Sequence, residues 1–159
     1  MFSKYLHAVS LKSKKSMEIV TAFKEIFKEH YPLKIKSDQG LEFNNIQFKK
    51  LCEKFNIRYF TSHDKKIKCS IVERVNRTLK NKMFKYFTGN GTKKYIDVLP
   101  KLVKSINNSY HRSIKMSPSE VNESNESLVY ENLYGDKKLK NIFLNKVKYK
   151  GRKYSENII

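Results

Sequence analysis

The feature that most limits the fold is an alternation between two hydrophobic periods. Tyr5 to Leu11 (YLHAVSL) alternates loosely, as a strand does. Ile19, Val20, Phe23, Ile26 and Phe27 then recur at helical spacing up to His30. Ser16 is the expected cap of that helix, with Glu18 in its first turn, and Pro32 closes it. Leu33 to Lys36 is again strand length. Phe48, Leu51, Cys52 and Phe55 mark a second helix over about Asn45 to Phe55, and Ile57 to Phe60 reads as a strand. Ser70 to Phe87 carries the stripe Val72, Val75, Leu79 and Met83, and Gly89 and Gly91 are expected to break it. A fourth helix is predicted around Tyr95 to Tyr110, with Leu99, Leu102, Val103 and Ile106 inward and Tyr110 in the core. Pro100 fits only in the first turn, which puts the predicted cap at Asp97. Ser117 and Pro118 start a further short turn. The order β, α, β, α, β, α, α is that of an α/β domain.

Charge narrows the function. The chain has 159 residues, with 34 Lys and Arg against 15 Asp and Glu, a net charge of +19. A surface this positive repels itself unless it meets a polyanion, and nucleic acid is the expected one, since phosphate neutralisation releases counterions. A general lysine-rich bias is the plainer alternative. Cys52 and Cys69 form no CxxC pair, and neither has a histidine at zinc-ligand spacing. Cys52 falls on an apolar stripe and reads as core. The opening MFSKYL is no secretory signal, and no apolar run reaches a membrane span. The expected location is nuclear rather than secreted.

Only four aspartates occur, and Asp38 lies at the end of a strand-like run with Gly40 two residues on. A carboxylate there either projects into a cleft beyond the sheet edge, where ligands bind in α/β folds, or makes an Asx turn. Glu73 opens the third helix. At about 100° per residue, Glu73, Asn76, Arg77 and Lys80 share one arc beside the apolar stripe. That arc is either a functional face or a solvated one laced by Glu–Arg and Glu–Lys pairs. Considered together, the acids suggest divalent metal. Mg²⁺ takes carboxylate and water oxygens and leaves room for substrate phosphate, and two such ions can clamp an in-line displacement.

SDQGLEF (Ser37 to Phe43) resembles the second-Asp motif of the retroviral-integrase and transposase core. SIVERVNRTLK (Ser70 to Lys80) resembles that family's catalytic-Glu helix, and the 34 residues between Asp38 and Glu73 match its spacing. YIDVLP (Tyr95 to Pro100), NNSYHRSIKMSP (Asn107 to Pro118) and NLYG (Asn132 to Gly135) resemble the segment that follows the core in retrotransposon-type integrases. The resemblance covers about Ser3 to Gly135. It implies a ribonuclease-H-like fold, a mixed sheet flanked by helices, with further helices and a basic tail after it. It implies a metal-dependent polynucleotidyl transferase, with Mg²⁺ or Mn²⁺ held by Asp38 and Glu73 as catalytic acids, DNA contacts from Asn76, Arg77 and Lys80, a turn at Gly40, and a flexible active-site loop at Ser62 to Lys68. Self-assembly into homo-oligomers is a further implication.

No Asp precedes Asp38, and Glu18, Glu25 and Glu29 fall on a predicted helix. The family's first Asp therefore has no counterpart. The expectation is a core truncated at its N-terminus over residues 1–112, lacking the first strand and first catalytic acid. Residues 113–159 would form a post-core segment and basic tail. Weak metal binding and little strand transfer follow. The alternatives are a non-catalytic nucleic-acid-binding protein and a ribonuclease-H-type hydrolase. His111 reads as a surface or packing histidine, with a general-base role left open, and His63 is undecided.

Overall fold

The computed structural model describes residues 2–29, 31–38, 40–61, 70–135 and 157–158. The predicted active-site loop, His63 and Cys69 lie outside the described residues, as does most of the basic tail. The elements run β1 (Leu6–His7), α1 (Ser16–Glu29), β2 (Lys34–Ser37), α2 (Ile46–Lys54), β3 (Arg58–Thr61), α3 (Ser70–Asn90), α4 (Leu99–Asn107), two 3-10 turns (Pro118–Glu120 and Glu123–Asn125), α5 (Glu126–Tyr134) and β4 (Asn157–Ile158).

The β2–α2–β3 unit forms a parallel pair with Ile35 opposite Tyr59 and Ser37 opposite Thr61. Alternation sets its faces: Ile35 and Ser37 are buried, while Lys34 and Lys36 are exposed. Helices α1 and α2 pack on the inner face. Their core holds Phe23, Phe27, Ile35, Phe48, Leu51 and Cys52 among others. Phe48 sits at its centre, edge-on to Phe23 at 4.9 Å and to Tyr59 at 5.2 Å between ring centroids. Edge-to-face rings add about 0.5–1.5 kcal/mol beyond burial. Burial pushes the Cys52 thiol up to about 11, which fits its place in this core.

Outside that core Leu6, Leu99, Ile114 and Val129 are also buried, and β1 packs on α4. The anchor of β1 is polar. Asn107, on the last turn of α4, accepts from the Leu6 N–H at 2.8 Å and donates to the Leu6 carbonyl at 2.9 Å. One amide side chain thereby does for β1 what a neighbouring strand would do. β4 pairs parallel with β1, Leu6 opposite Asn157. After α4 the chain folds back on itself: His111 bridges to Met116, Ile114 is fully buried, and Asn132 of α5 donates to the Ile114 carbonyl at 3.1 Å.

Several boundaries differ from the sequence expectation for identifiable reasons. β1 is two residues long, because Val9 and Leu11 are exposed and pair with nothing described. Ser16 does not cap α1. Instead the Glu18 carboxylate accepts from the Ser13 N–H and hydroxyl, both at 2.7 Å, and draws the incoming chain onto the first turn. Asn45 caps α2 through the Phe48 N–H. Helix α3 runs through Gly89 and stops at Gly91, whose φ of +60° suits glycine. Helix α4 is capped at Val98, not Asp97, and Pro100 lies in its first turn as required. Tyr110 is 69% exposed rather than core, because the helix has already ended at Asn107. Helix α5 is one of the further helices expected after the core, though no apolar stripe marked its position in the sequence.

Candidate active site and nucleic-acid interface

Asp38 follows the last residue of β2 and is exposed. Its placement depends on Ser37. The buried Ser37 hydroxyl donates to the Asp38 carbonyl at 2.7 Å, so the Tyr59 hydroxyl, 2.8 Å away, must be the donor to Ser37. Burial raises the Tyr59 pKa, and the charges of Cys52 and Asp38 add to that, while the Ser37 bond opposes it. The phenol therefore stays protonated and keeps donating. One oxygen of Asp38 accepts from the Gly40 N–H at 3.1 Å. This is the Asx turn that the sequence left as one of two readings, and among the described residues it engages one of the two carboxylate oxygens.

Gly40 closes the turn by accepting from Phe43 and Asn44 with its carbonyl. A side chain added at Gly40 would first meet the movable carboxylate of Glu42.

Glu73 lies in the first turn of α3, exposed. Arg77 and Lys80 are exposed on the same arc, and Asn76 is half-buried between them and the packed side. Val72, Val75, Leu79 and Met83 are half-buried, as their spacing predicted. Lys82 donates to Ser105 at 3.1 Å and ties α3 to α4. Among the described residues no ion pair ties up Glu73, Arg77 or Lys80. The arc is therefore open to solvent rather than internally neutralised. Asp38 belongs to a separate element, and no hydrogen bond joins it to α3 among the described residues.

The donor set can be compared with what a metal needs. Asp38 and Glu73 offer hard carboxylate oxygens, with one oxygen of Asp38 outside the turn. That suits Mg²⁺, which is held by one or two carboxylates plus water and substrate phosphate. Among the described residues no group of three His, Cys, Asp or Glu side chains comes together. In donor chemistry each of the two acids suits such an ion, and among the described residues no three-donor group forms around either.

His111 is half-buried. Its Nδ1 accepts from the Ser113 N–H at 3.3 Å, and burial, followed by the nearby Lys4 charge, lowers its pKa. It packs where the sequence placed it, remote in the chain from both acids. The sequence reading missed the Tyr59–Ser37 pair that fixes Asp38. The one available signal was the strand spacing that puts Tyr59 opposite Ile35.

The fold is that of a retroviral integrase catalytic core. The HTLV-2 integrase catalytic core, in complex with magnesium, matches with a TM-score of 0.66 at 22% identity, over 76% of this chain and 78% of that one. The BIV integrase core matches at 0.64 and 19% identity, over 80% and 84%. A simian T-cell lymphotropic virus intasome matches at 0.67 and 22% identity, over 72% and 42%. In sequence, the chain is 43% identical over 123 residues to a transposon-derived protein of Caenorhabditis elegans. The match takes in 76% of this chain but 43% of that protein, so the chain spans less than half of its relative's length. No family model matches the sequence. Among the described residues no helix is long and apolar enough to cross a membrane.

Proposed function

We propose that this chain is the core of a transposable-element integrase, that it binds DNA along the open arc of α3, and that it performs little strand transfer by itself. The observation that carries the proposal is the layout of α3. One carboxylate and two unpaired cations stand on its solvent arc, and the neighbouring arc packs inward. Arg77 and Lys80 would hold backbone phosphates, and Asn76, half-buried, would be oriented by its neighbours to hydrogen-bond the strand. Asp38 and Glu73 would hold a Mg²⁺ ion, whose charge would stabilise a phosphodiester under attack. The Tyr59–Ser37 pair would keep the Asp38 backbone fixed while its other carboxylate oxygen turns to the ion.

The weak-transfer part is supported by the absence of a three-donor group among the described residues. Two carboxylates would share one metal with solvent, and a second ion of a two-ion displacement would lack ligands.

Fluorescence anisotropy with labelled duplex DNA tests binding, and joining of a DNA 3′ end to a target duplex tests transfer. Arg77→Ala and Lys80→Ala are each expected to weaken binding and flatten its salt dependence by about one unit of slope. Asp38→Ala and Glu73→Ala are expected to leave metal-free binding intact and to abolish the Mg²⁺-dependent increment. Efficient Mg²⁺-dependent joining by the 159-residue chain would overturn the weak-transfer reading. Unchanged affinity in Arg77→Ala and Lys80→Ala would remove the α3 arc as the interface.

A further inference from the structure

Lys4 and His111, from two separate segments, line one cleft between β1 and the start of α3, and Arg74 stands on the helix turn beside it. Tyr5 and Leu6 line it from one side, Ile71, Val72 and Val75 from the other, and Lys4 and His111 complete the lining. Arg74 lies on the α3 turn between those valines, exposed, and its charge and that of Lys4 both act on the His111 imidazole.

Lys4 is held there at a cost. It is half-buried, and its backbone is left-handed, with φ +62°. An L-residue in that conformation costs roughly 1–2 kcal/mol, which glycine avoids. Burial also lowers its pKa, the mark of an ammonium drawn partly out of water. Among the described residues no carboxylate pairs with Lys4, Arg74 or His111.

The cluster is also stiff. Asn107 clamps the Leu6 backbone two residues from Lys4 and lies four residues before His111. His111 is further held by its N–H bond to the Met116 carbonyl at 2.9 Å. Because its Nδ1 accepts from Ser113, its Nε2 carries the proton and is a donor. Two cations and one N–H donor on a rigid frame, with no carboxylate paired to them among the described residues, suit an external anion.

We infer that this cleft binds a backbone phosphate of nucleic acid through the Lys4 ammonium, the Arg74 guanidinium and the His111 Nε2–H. The inference rests on the DNA-binding reading above and adds a contact on the flank of α3 toward β1. The walls are apolar apart from the Tyr5 hydroxyl, so the site positions the strand without reading its sequence.

Lys4→Gly is the decisive variant, because it removes the cation and relieves the left-handed strain together. A loss of affinity then cannot be ascribed to misfolding, and a thermal melt equal to or above the wild type checks this. The full chain is titrated with labelled duplex DNA over a range of salt. Lys4→Gly and Arg74→Ala are each expected to lower the slope of log K against log salt by about 0.9, the value of one phosphate contact. Lys24→Ala, an exposed position on α1, is expected to leave it unchanged. The His111 imidazole resonances are expected to shift on adding duplex DNA and to stay fixed with inorganic phosphate at equal phosphate concentration.

Wild-type binding with an unaltered slope in Lys4→Gly would overturn the site and leave the α3 interface standing. An equal drop in Lys24→Ala would trace the effect to net charge and overturn it as well. Imidazole shifts with inorganic phosphate alone would reassign the cleft to a free anion. No binding to any duplex would defeat the DNA reading itself, and this inference with it.

Discussion

Asn107 is the residue with the most to lose. It is 2% exposed, and both ends of its amide bond the Leu6 backbone. Asn107→Ala leaves a buried N–H and a buried carbonyl without partners, at about 1–3 kcal/mol each. The expected loss is about 2–4 kcal/mol in urea denaturation, with β1 released from α4. The Asp variant is expected to be no better, since a carboxylate cannot donate to the Leu6 carbonyl. A second prediction at this scale concerns Glu18 and Glu120. Hydrogen bonds from Ser13 hold the Glu18 carboxyl below its ordinary range, and those from Ser117 do the same for Glu120. The folded values are depressed, so their contribution is fully present above the unfolded value of about 4.3 and is lost as pH falls through the folded values. Thermal melts of the wild type and a Glu18→Gln/Glu120→Gln double variant are expected to differ at pH 6 and to converge by about pH 3. The Ser117–Glu120 pair has the S-x-x-E spacing of a capping box, but the Asn107 and Glu18 partnerships could not be read from spacing. Leu6 and Asn107 are 101 positions apart, and no local signal connects them. Asp38, by contrast, was legible as a singular acid at a strand end. Its turn was foreseen as one of two readings, and its Tyr59 support was not.

At the scale of elements, periodicity located α1, α2, α3 and α4, because each carries a clear apolar stripe. The ends were less legible. Where a helix stops depends on which glycine adopts a left-handed backbone, and Gly89 and Gly91 are alike in sequence. The structure separates them: Gly89 lies inside α3, Gly91 has φ +60°, and open space surrounds the Cβ position of both. Gly89→Ala is therefore expected to stabilise by about 0.5–1 kcal/mol, and Gly91→Ala to destabilise by roughly 1–2 kcal/mol. Chemical denaturation of the two variants decides the assignment, and equal effects would contradict it. Helix α5 was expected only as one of the helices after the core, and its position was not legible because it is nine residues long and only Val129 on it is fully buried. A stripe of one residue has no period. β1 was overread for the opposite reason: alternation ran on through Val9 and Leu11, but alternation makes a strand only where a neighbour supplies hydrogen bonds.

At the scale of the whole molecule, the charge is carried outward while two sets of buried apolar side chains hold the interior. One consists of side chains from α1, α2, β2 and β3, with Phe43 and Phe55 against it. The other is Leu6, Leu99, Ile114 and Val129, buried outside that core, where β1 packs on α4. The cations of α3 and of the Lys4 cleft belong to the second half, and Asp38 to the first. The α/β order and basic surface were legible from the start, since both are sums over many residues. The division into two interiors was not, because a list of stripes does not say which faces meet. That division has a kinetic consequence. Two interiors with few side chains in common open as separate cooperative units. Amide protons of α1, α2, β2 and β3 are expected to exchange with solvent deuterium as one late cohort, and those of α4 and α5 as another at its own rate. Such a chain can loosen the half that bears its cations while the half that bears Asp38 keeps its native packing.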